Sequence, residues 1–228
     1  MKFYFDGCSF SHGYAMSEYG HDFLANRWTK LVSDHYGAEE FNLSSGGAAN
    51  DTILRHFFMG EKFREHNVMK NPIRFDLNDF DLFFIQSTSP RRGEYWNRTT
   101  MKWERYKFRS VKKEAEKRKK NPELQRWIQY WLTDIYDPKQ GEVYETVMMK
   151  AITSHLKLLK KPYITLTFMN PESAVMDYDI YLNAASKHYV TEEITTKYDK
   201  LPDGHPSPLG NRQIADDIIK LIDEKVLL

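Results

Sequence analysis

The chain is poor in cysteine: Cys8 is the only one in 228 residues. No intrachain disulfide and no cysteine cage for zinc can form, and a reducing compartment is the simpler reading. It also lacks an excess of either charge. Lys and Arg number 33 against 32 Asp and Glu, a net charge of +1, so no general attraction to nucleic acid or anionic membrane is expected. No run approaches the roughly 18 apolar residues of a membrane span. The opening Met1-Lys2-Phe3-Tyr4-Phe5-Asp6 meets an acid before any apolar leader core can form, which predicts no secretory signal. Neither GxxxxGK[ST] nor GxGxxG occurs, and no histidine pair has HxxxH spacing. The expectation is a cytoplasmic protein (host-cell cytoplasm if viral) with no cofactor, no metal and no membrane partner.

What is present is enough for a core: 41% hydrophobic residues and 14% aromatics, unlike a disordered chain. Residues 2–6 read as a strand ending at Gly7. Leu24, Trp28, Leu31 and His35 repeat at helical spacing over 21–36, with Gly37 as C-cap. A second strand is expected at 39–44. Gly46-Gly47 follow, then a helix capped by Asn50 or Asp51 and carrying Ile53, Leu54 and Phe57. The run Leu82-Phe83-Phe84-Ile85 within 80–88 predicts a central strand buried on both faces. Val143, Val147, Ile152, Leu156 and Leu159 mark a helix ended by Pro162; 163–169 is a fourth strand; Pro208–Val226 is a last helix with Ile214, Ile218, Leu221 and Ile222 on one face. Alternating strand and helix implies a three-layer α/β/α sandwich with a parallel, flavodoxin-like sheet. Ligands then bind beyond the carboxyl ends of the strands.

Residues 92–140 fit this alternation poorly. They hold Trp96, Trp103, Trp127 and Trp131, and Lys107 to Lys120 contributes eight Lys or Arg against Glu114 and Glu116. The stretch reads as a Trp-rich, Lys-rich helical insertion within a single domain spanning 1–228. The balanced overall charge argues against nucleic acid, which would have to bind through 105–120.

Three turns carry residues with chemical potential. Gly7-Cys8-Ser9-Phe10-Ser11-His12-Gly13 puts a serine directly after the first strand, where glycine permits close approach of substrate. Asn42-Leu43-Ser44-Ser45-Gly46-Gly47 follows the second strand, and its glycines can aim backbone N–H groups at an anion. Asp203-Gly204-His205-Pro206 precedes the last helix and offers an imidazole base beside a carboxylate. Cys8, although beside the serine, reads as a small packing residue. His12 and Asn50 are candidates for lining the pocket; His35 and His155 read as packing or surface residues.

A serine after strand one, glycines after strand two and Asp/His before the last helix, in that order, resemble the SGNH (GDSL-type) hydrolase superfamily over about 1–90 and 140–228. The resemblance implies Ser9 as nucleophile, His205 as base and Asp203 as its supporting acid, with Asp199 as the fallback acid. It implies Ser9 and Gly47 as backbone donors of the oxyanion hole. Such enzymes deacylate esters or transfer acyl groups without metal or organic cofactor.

The sequence departs from that pattern in three places. Cys8 stands where the family has Asp. Asp203 is two residues before His205 rather than three, a spacing similar to some SGNH-like acyltransferases. The third block, Gln86-Ser87-Thr88-Ser89-Pro90-Arg91-Arg92, has no asparagine to donate to the oxyanion, leaving Thr88 or Arg91 for that role. This T-S-x-x-R style is similar to a divergent branch of phage and environmental sequences. The expected activity is an esterase acting on a small ester, such as an O-acetylated sugar or a lipid-like acyl group. Two other readings stand beside it: an O-acyltransferase with the same triad, and a catalytically weak SGNH scaffold that binds a glycan or, through its basic insertion, nucleic acid.

Overall fold

In the computed structural model the described residues are 1–13, 15–62, 73–90, 92–97, 102–107, 130, 138–167, 174, 176–182, 198–225 and 227–228. The sheet grows from its first strand. In β1 (Lys2–Asp6) alternate side chains go to opposite layers. Phe3 and Phe5 join one core, and Tyr4 joins the other. The register places β1 between β2 (Glu39–Asn42) and β5 (Leu82–Ser87), both parallel to it. The two-residue strands β3 (Glu61–Lys62) and β4 (Ile73–Arg74) pair with each other outside the sheet. β8 (Tyr163–Thr167) and β9 (Ile180–Tyr181) complete the order β2-β1-β5-β8-β9, parallel throughout. Every residue of β5 is buried, as its unbroken apolar run requires. Phe5 and Phe84 stack at 4.5 Å between ring centroids.

Two helical layers cover the sheet. On one face α4 (Trp28–His35) and α7 (Pro208–Lys225) bury Trp28, Val32, Ile214, Ile218 and Ile222. On the other, α5 (Asn50–Met59) and α6 (Pro138–Leu158) bury Ile53, Phe57, Met148, Met149, Ile152 and Leu156. Helices α6 and α7 both start at proline, whose missing N–H costs nothing there. Three short helices, α1 (Ser9–His12), α2 (Ala15–Glu18) and α3 (Phe23–Asn26), follow β1. The chain is thus a three-layer α/β sandwich with a parallel sheet. It winds outward from β1 to β2, then returns across β1 to β5. The carboxyl ends of β1 and β5 therefore flank a topological switch point, where a ligand crevice forms.

Several sequence expectations need correction. The helix expected over 21–36 is two helices. Asp22 caps α3 by accepting from Leu24 and Ala25 N–H, and Arg27 is extended between α3 and α4. The Arg27 guanidinium is held there by Glu40 at 2.7 Å. Leu24 is consequently exposed, and Val32 rather than Leu31 lies in the core. In α6 the buried ridge is Glu145, Met148, Met149, Ile152 and Leu156, so Val143 and Val147 face outward.

The insertion does not begin as helix. Residues Arg92–Asn97 (β6) and Lys102–Lys107 (β7) form an antiparallel hairpin with Trp96 opposite Trp103 in register. Aromatic residues suit a strand as well as a helix, and here cross-strand pairing prevails. The rest of the insertion, including most of the basic stretch 105–120, lies outside the described residues, Tyr130 and α6 from Pro138 apart. Among the described residues, no helix is long and apolar enough to cross a membrane.

Candidate active site

The turn after β1 is built around one close approach. A Cβ on Gly7 would sit 2.7 Å from Gln86 Oε1 and 2.8 Å from Gln86 Cβ, so the strand end accepts only glycine. Gln86 is fully buried at the end of β5. Its Nε2 donates to Cys8 Sγ at 3.1 Å, and its Oε1 accepts from Ser11 Oγ at 2.5 Å. The two residues flanking Ser9 and Phe10 are thereby tied to the neighbouring strand. Ser11 and His12 N–H donate to Cys8 O, and Gly13, with φ +79°, closes α1 by donating to Ser9 O. Cys8 is wholly buried, whereas Ser9 is partly open.

The turn before α7 delivers the other two polar groups. Asp203 makes two hydrogen bonds to the residue two positions on. Its Oδ1 accepts from the His205 backbone N–H at 3.0 Å, and its Oδ2 lies 2.9 Å from His205 Nδ1. This is an Asx-type turn, and it makes the short D-G-H spacing sufficient. Gly204 supplies the left-handed φ of +89° between them. His205 Nε2 lies 2.8 Å from Ser9 Oγ, bridging positions 196 residues apart in sequence. With Nδ1–H donated to the carboxylate, Nε2 presents its lone pair to the serine hydroxyl. Both side chains stay partly solvated, at 25% for His205 and 30% for Asp203.

Asp199 is occupied elsewhere. Its carboxylate accepts from Ser207 Oγ, and its backbone carbonyl accepts from Ser207 N–H. A Cβ on Gly210 would collide with that same carbonyl, so α7 packs directly on the loop. Asn211 ties the loop from behind, donating to Pro206 O and Ser207 O and accepting from Trp28 N–H.

The turn after β2 brings Gly47, buried and with φ +76°. Among the described residues, the N–H groups of Ser9 and Gly47 have no acceptor. Beside them, Asn50 and Thr88 form a reciprocal pair: Asn50 Nδ2 donates to Thr88 O at 3.1 Å and Thr88 N–H donates to Asn50 Oδ1 at 2.8 Å. Both are buried. Asn50 therefore staples the start of α5 to the turn after β5, and Ala49 takes the N-cap position.

The sequence expectation for Thr88 also needs correction. Its hydroxyl donates to Ala48 O at 3.1 Å and accepts from Arg92 Nη1 at 3.0 Å, so its one proton is spent away from an oxyanion. Arg91 lies outside the described residues; the Arg92 guanidinium reaches this turn. His12 stacks on Phe23 at 5.5 Å. Among the described residues, no group of three His, Cys, Asp or Glu is arranged to hold a metal ion.

Sequence reasoning missed two residues here. Gln86 was detectable as the lone amide in an apolar strand. Phe10, whose ring stacks on His205 at 4.7 Å, left no signal in its own neighbourhood. A further buried cluster lies one residue from Thr88. Burial raises the pKa of Glu145, opposed by hydrogen bonds from Tyr178 and Ser87. Tyr178 donates to it at 2.6 Å and is itself pushed up by burial and by the Glu145 charge.

No protein-family model and no curated protein matches this chain. Among solved structures, its fold is similar to the acetyl xylan esterase Est2A from the rumen bacterium Butyrivibrio proteoclasticus. That likeness has a TM-score of 0.54 and 14% identity, and covers 99% of this chain and 64% of that one. A family two carbohydrate esterase from Clostridium thermocellum, solved with cellohexaose, is similar at TM-score 0.52 and 10% identity, covering 100% and 65%. The chain thus spans just under two thirds of the length of either esterase.

Proposed function

We propose that this chain, which has the SGNH-type fold, is a serine-dependent esterase that removes a small acyl group, acetyl above all, from a carbohydrate. The observation that carries the reading is the continuous line Asp203 Oδ2, His205 Nδ1, His205 Nε2, Ser9 Oγ, with separations of 2.9 and 2.8 Å. Such a line lets an imidazole take a hydroxyl proton as the oxygen attacks a carbonyl.

In this mechanism His205 accepts the Ser9 proton through Nε2 while Ser9 Oγ bonds to the ester carbonyl carbon. Asp203 holds the tautomer and stabilises the imidazolium. The oxyanion is held by the N–H groups of Ser9 and Gly47. His205 returns the proton to the leaving sugar oxygen, and the acyl group stays on Ser9. Water, deprotonated by His205, then attacks the acyl carbon; the bond from Ser9 Oγ breaks, His205 returns the proton to Ser9 Oγ, and the acid leaves. A sugar hydroxyl in place of water would make the same site an acyltransferase.

With Thr88 committed to Ala48, two backbone donors serve the oxyanion. A missing donor costs about 10²–10³ in rate, so turnover is expected to be slow for this class. The test is hydrolysis of acetylated xylo- and cello-oligosaccharides and of an acetyl aryl ester by wild type and Ser9→Ala. The expected result is measurable wild-type turnover, abolished in a variant of unchanged thermal stability. Equal activity in the two proteins would exclude a serine mechanism.

A further inference from the structure

His205 is gripped at two points on its edge, Asp203 at Nδ1 and Ser9 at Nε2. With the ring bonded to Cβ, its soft motion is rotation about Cβ–Cγ, which tilts the plane past the two edge contacts. Tilting carries the Nε2 lone pair off the Ser9 hydroxyl and weakens both hydrogen bonds, because they depend on alignment. A contact on the face of the ring opposes it.

That contact is Phe10. Its ring lies 4.7 Å from the imidazole, centroid to centroid, with an interplanar angle of 26°. It is 9% exposed and belongs to the core cluster containing Phe5, Trp28 and Phe84. The platform is therefore anchored by the same core that fixes the sheet. Phe10 directly follows Ser9 in α1, so nucleophile and platform move as one piece while the base arrives from a distant turn. A cation over an aromatic face within about 6 Å is also stabilised electrostatically, which favours the imidazolium formed as Ser9 loses its proton.

We propose that Phe10 is a positioning residue for His205: it fixes the plane of the imidazole against the Ser9–Asp203 axis. This rests on the reading of His205 as the base. The role needs a flat ring, not merely bulk, so Phe10→Leu removes it and Phe10→Tyr retains it.

The test compares wild type, Phe10→Leu and Phe10→Tyr as full chains. One measurement is kcat and KM on the acetyl aryl ester. The other is NMR of the His205 ring protons and its Nδ1–H. In Phe10→Leu, kcat is expected to fall about tenfold with KM unchanged. The His205 ring protons lose their ring-current shift, and the Nδ1–H signal broadens. Phe10→Tyr restores all of these. Wild-type kcat and unmoved His205 resonances in Phe10→Leu would overturn the proposal. So would a Phe10→Tyr variant as impaired as Phe10→Leu, or a loss of kcat that follows thermal stability while the His205 resonances stay in place. If wild type hydrolyses no ester but the His205 Nδ1–H signal still broadens in Phe10→Leu and sharpens again in Phe10→Tyr, the positioning stands and the esterase reading alone falls.

Discussion

Replacing Gly7 with alanine tests the link between the sheet and the nucleophile. The added Cβ would meet Gln86 Oε1 at 2.7 Å, where ordinary contact begins near 3.4 Å, an approach too close by about 0.7 Å. Gln86 cannot swing aside cheaply. Its Cβ would also lie 2.8 Å away, and its amide is engaged by Cys8 and Ser11. The strand end must move instead, and Ser9 lies two residues on. Overpacking of this kind costs about 1–3 kcal/mol. For a chain of this size that lowers the thermal midpoint by roughly 2–12 °C. A shift near 1 Å at the nucleophile lowers reactivity by about 10²-fold. The assay is calorimetry together with the rate at which a fluorophosphonate labels Ser9. Gly46→Ala is the internal control, because Gly46 is exposed and a Cβ there meets nothing within 4 Å. A Gly7→Ala protein as stable and reactive as wild type, or a Gly46→Ala protein equally damaged, would refute the reasoning.

The two aspartates near His205 should separate cleanly in ester hydrolysis. Asp203→Asn is expected to lower kcat by about 10²–10⁴ through loss of the productive tautomer, whereas Asp199→Asn, which touches Ser207, leaves kcat near wild type. Asn50→Ala strips the buried Thr88 backbone of both partners and should cost about 2–4 kcal/mol in denaturant unfolding, with Asn50→Asp in between. Burial raises the Glu145 pKa in the fold above its ordinary value of 4.5. The folded state then binds that proton more tightly than the unfolded chain. Its contribution is complete below that ordinary value and is lost as pH rises through the raised one. Denaturant midpoints measured over that window should decline in wild type and decline less in Glu145→Gln.

The sheet was legible because buried parallel strands advertise themselves. Leu82-Phe83-Phe84-Ile85 has no polar interruption, and Phe3-Tyr4-Phe5 is bounded by Asp6 and Gly7. Ser9, Gly47, Asp203 and His205 were legible as candidates because each follows a strand or precedes a helix, and the fold draws three of them into one hydrogen-bonded line. Other features depend on partners remote in sequence. Phe10 reads as a core residue until His205 is placed on its ring. Thr88 reads as a donor until Ala48 O takes its proton. Asn50 reads as a helix cap until the end of β5 arrives beside it. The paired strands Arg92–Asn97 and Lys102–Lys107 were misread as helix because Trp and Tyr carry no decisive preference without their cross-strand partners. The outward placement of Val143 and Val147 reflects a different limit: helical spacing identifies a stripe, and only packing reveals which stripe is buried.

Everything proposed for this site depends on activation of Ser9 by His205. The most direct measurement is intact mass and peptide mapping after exposure to a fluorophosphonate, with wild type and His205→Ala in parallel. A single adduct on Ser9 is expected in wild type and none, or far slower labelling, in His205→Ala. An unlabelled wild type, or labelling of Ser9 that does not depend on His205, would contradict it.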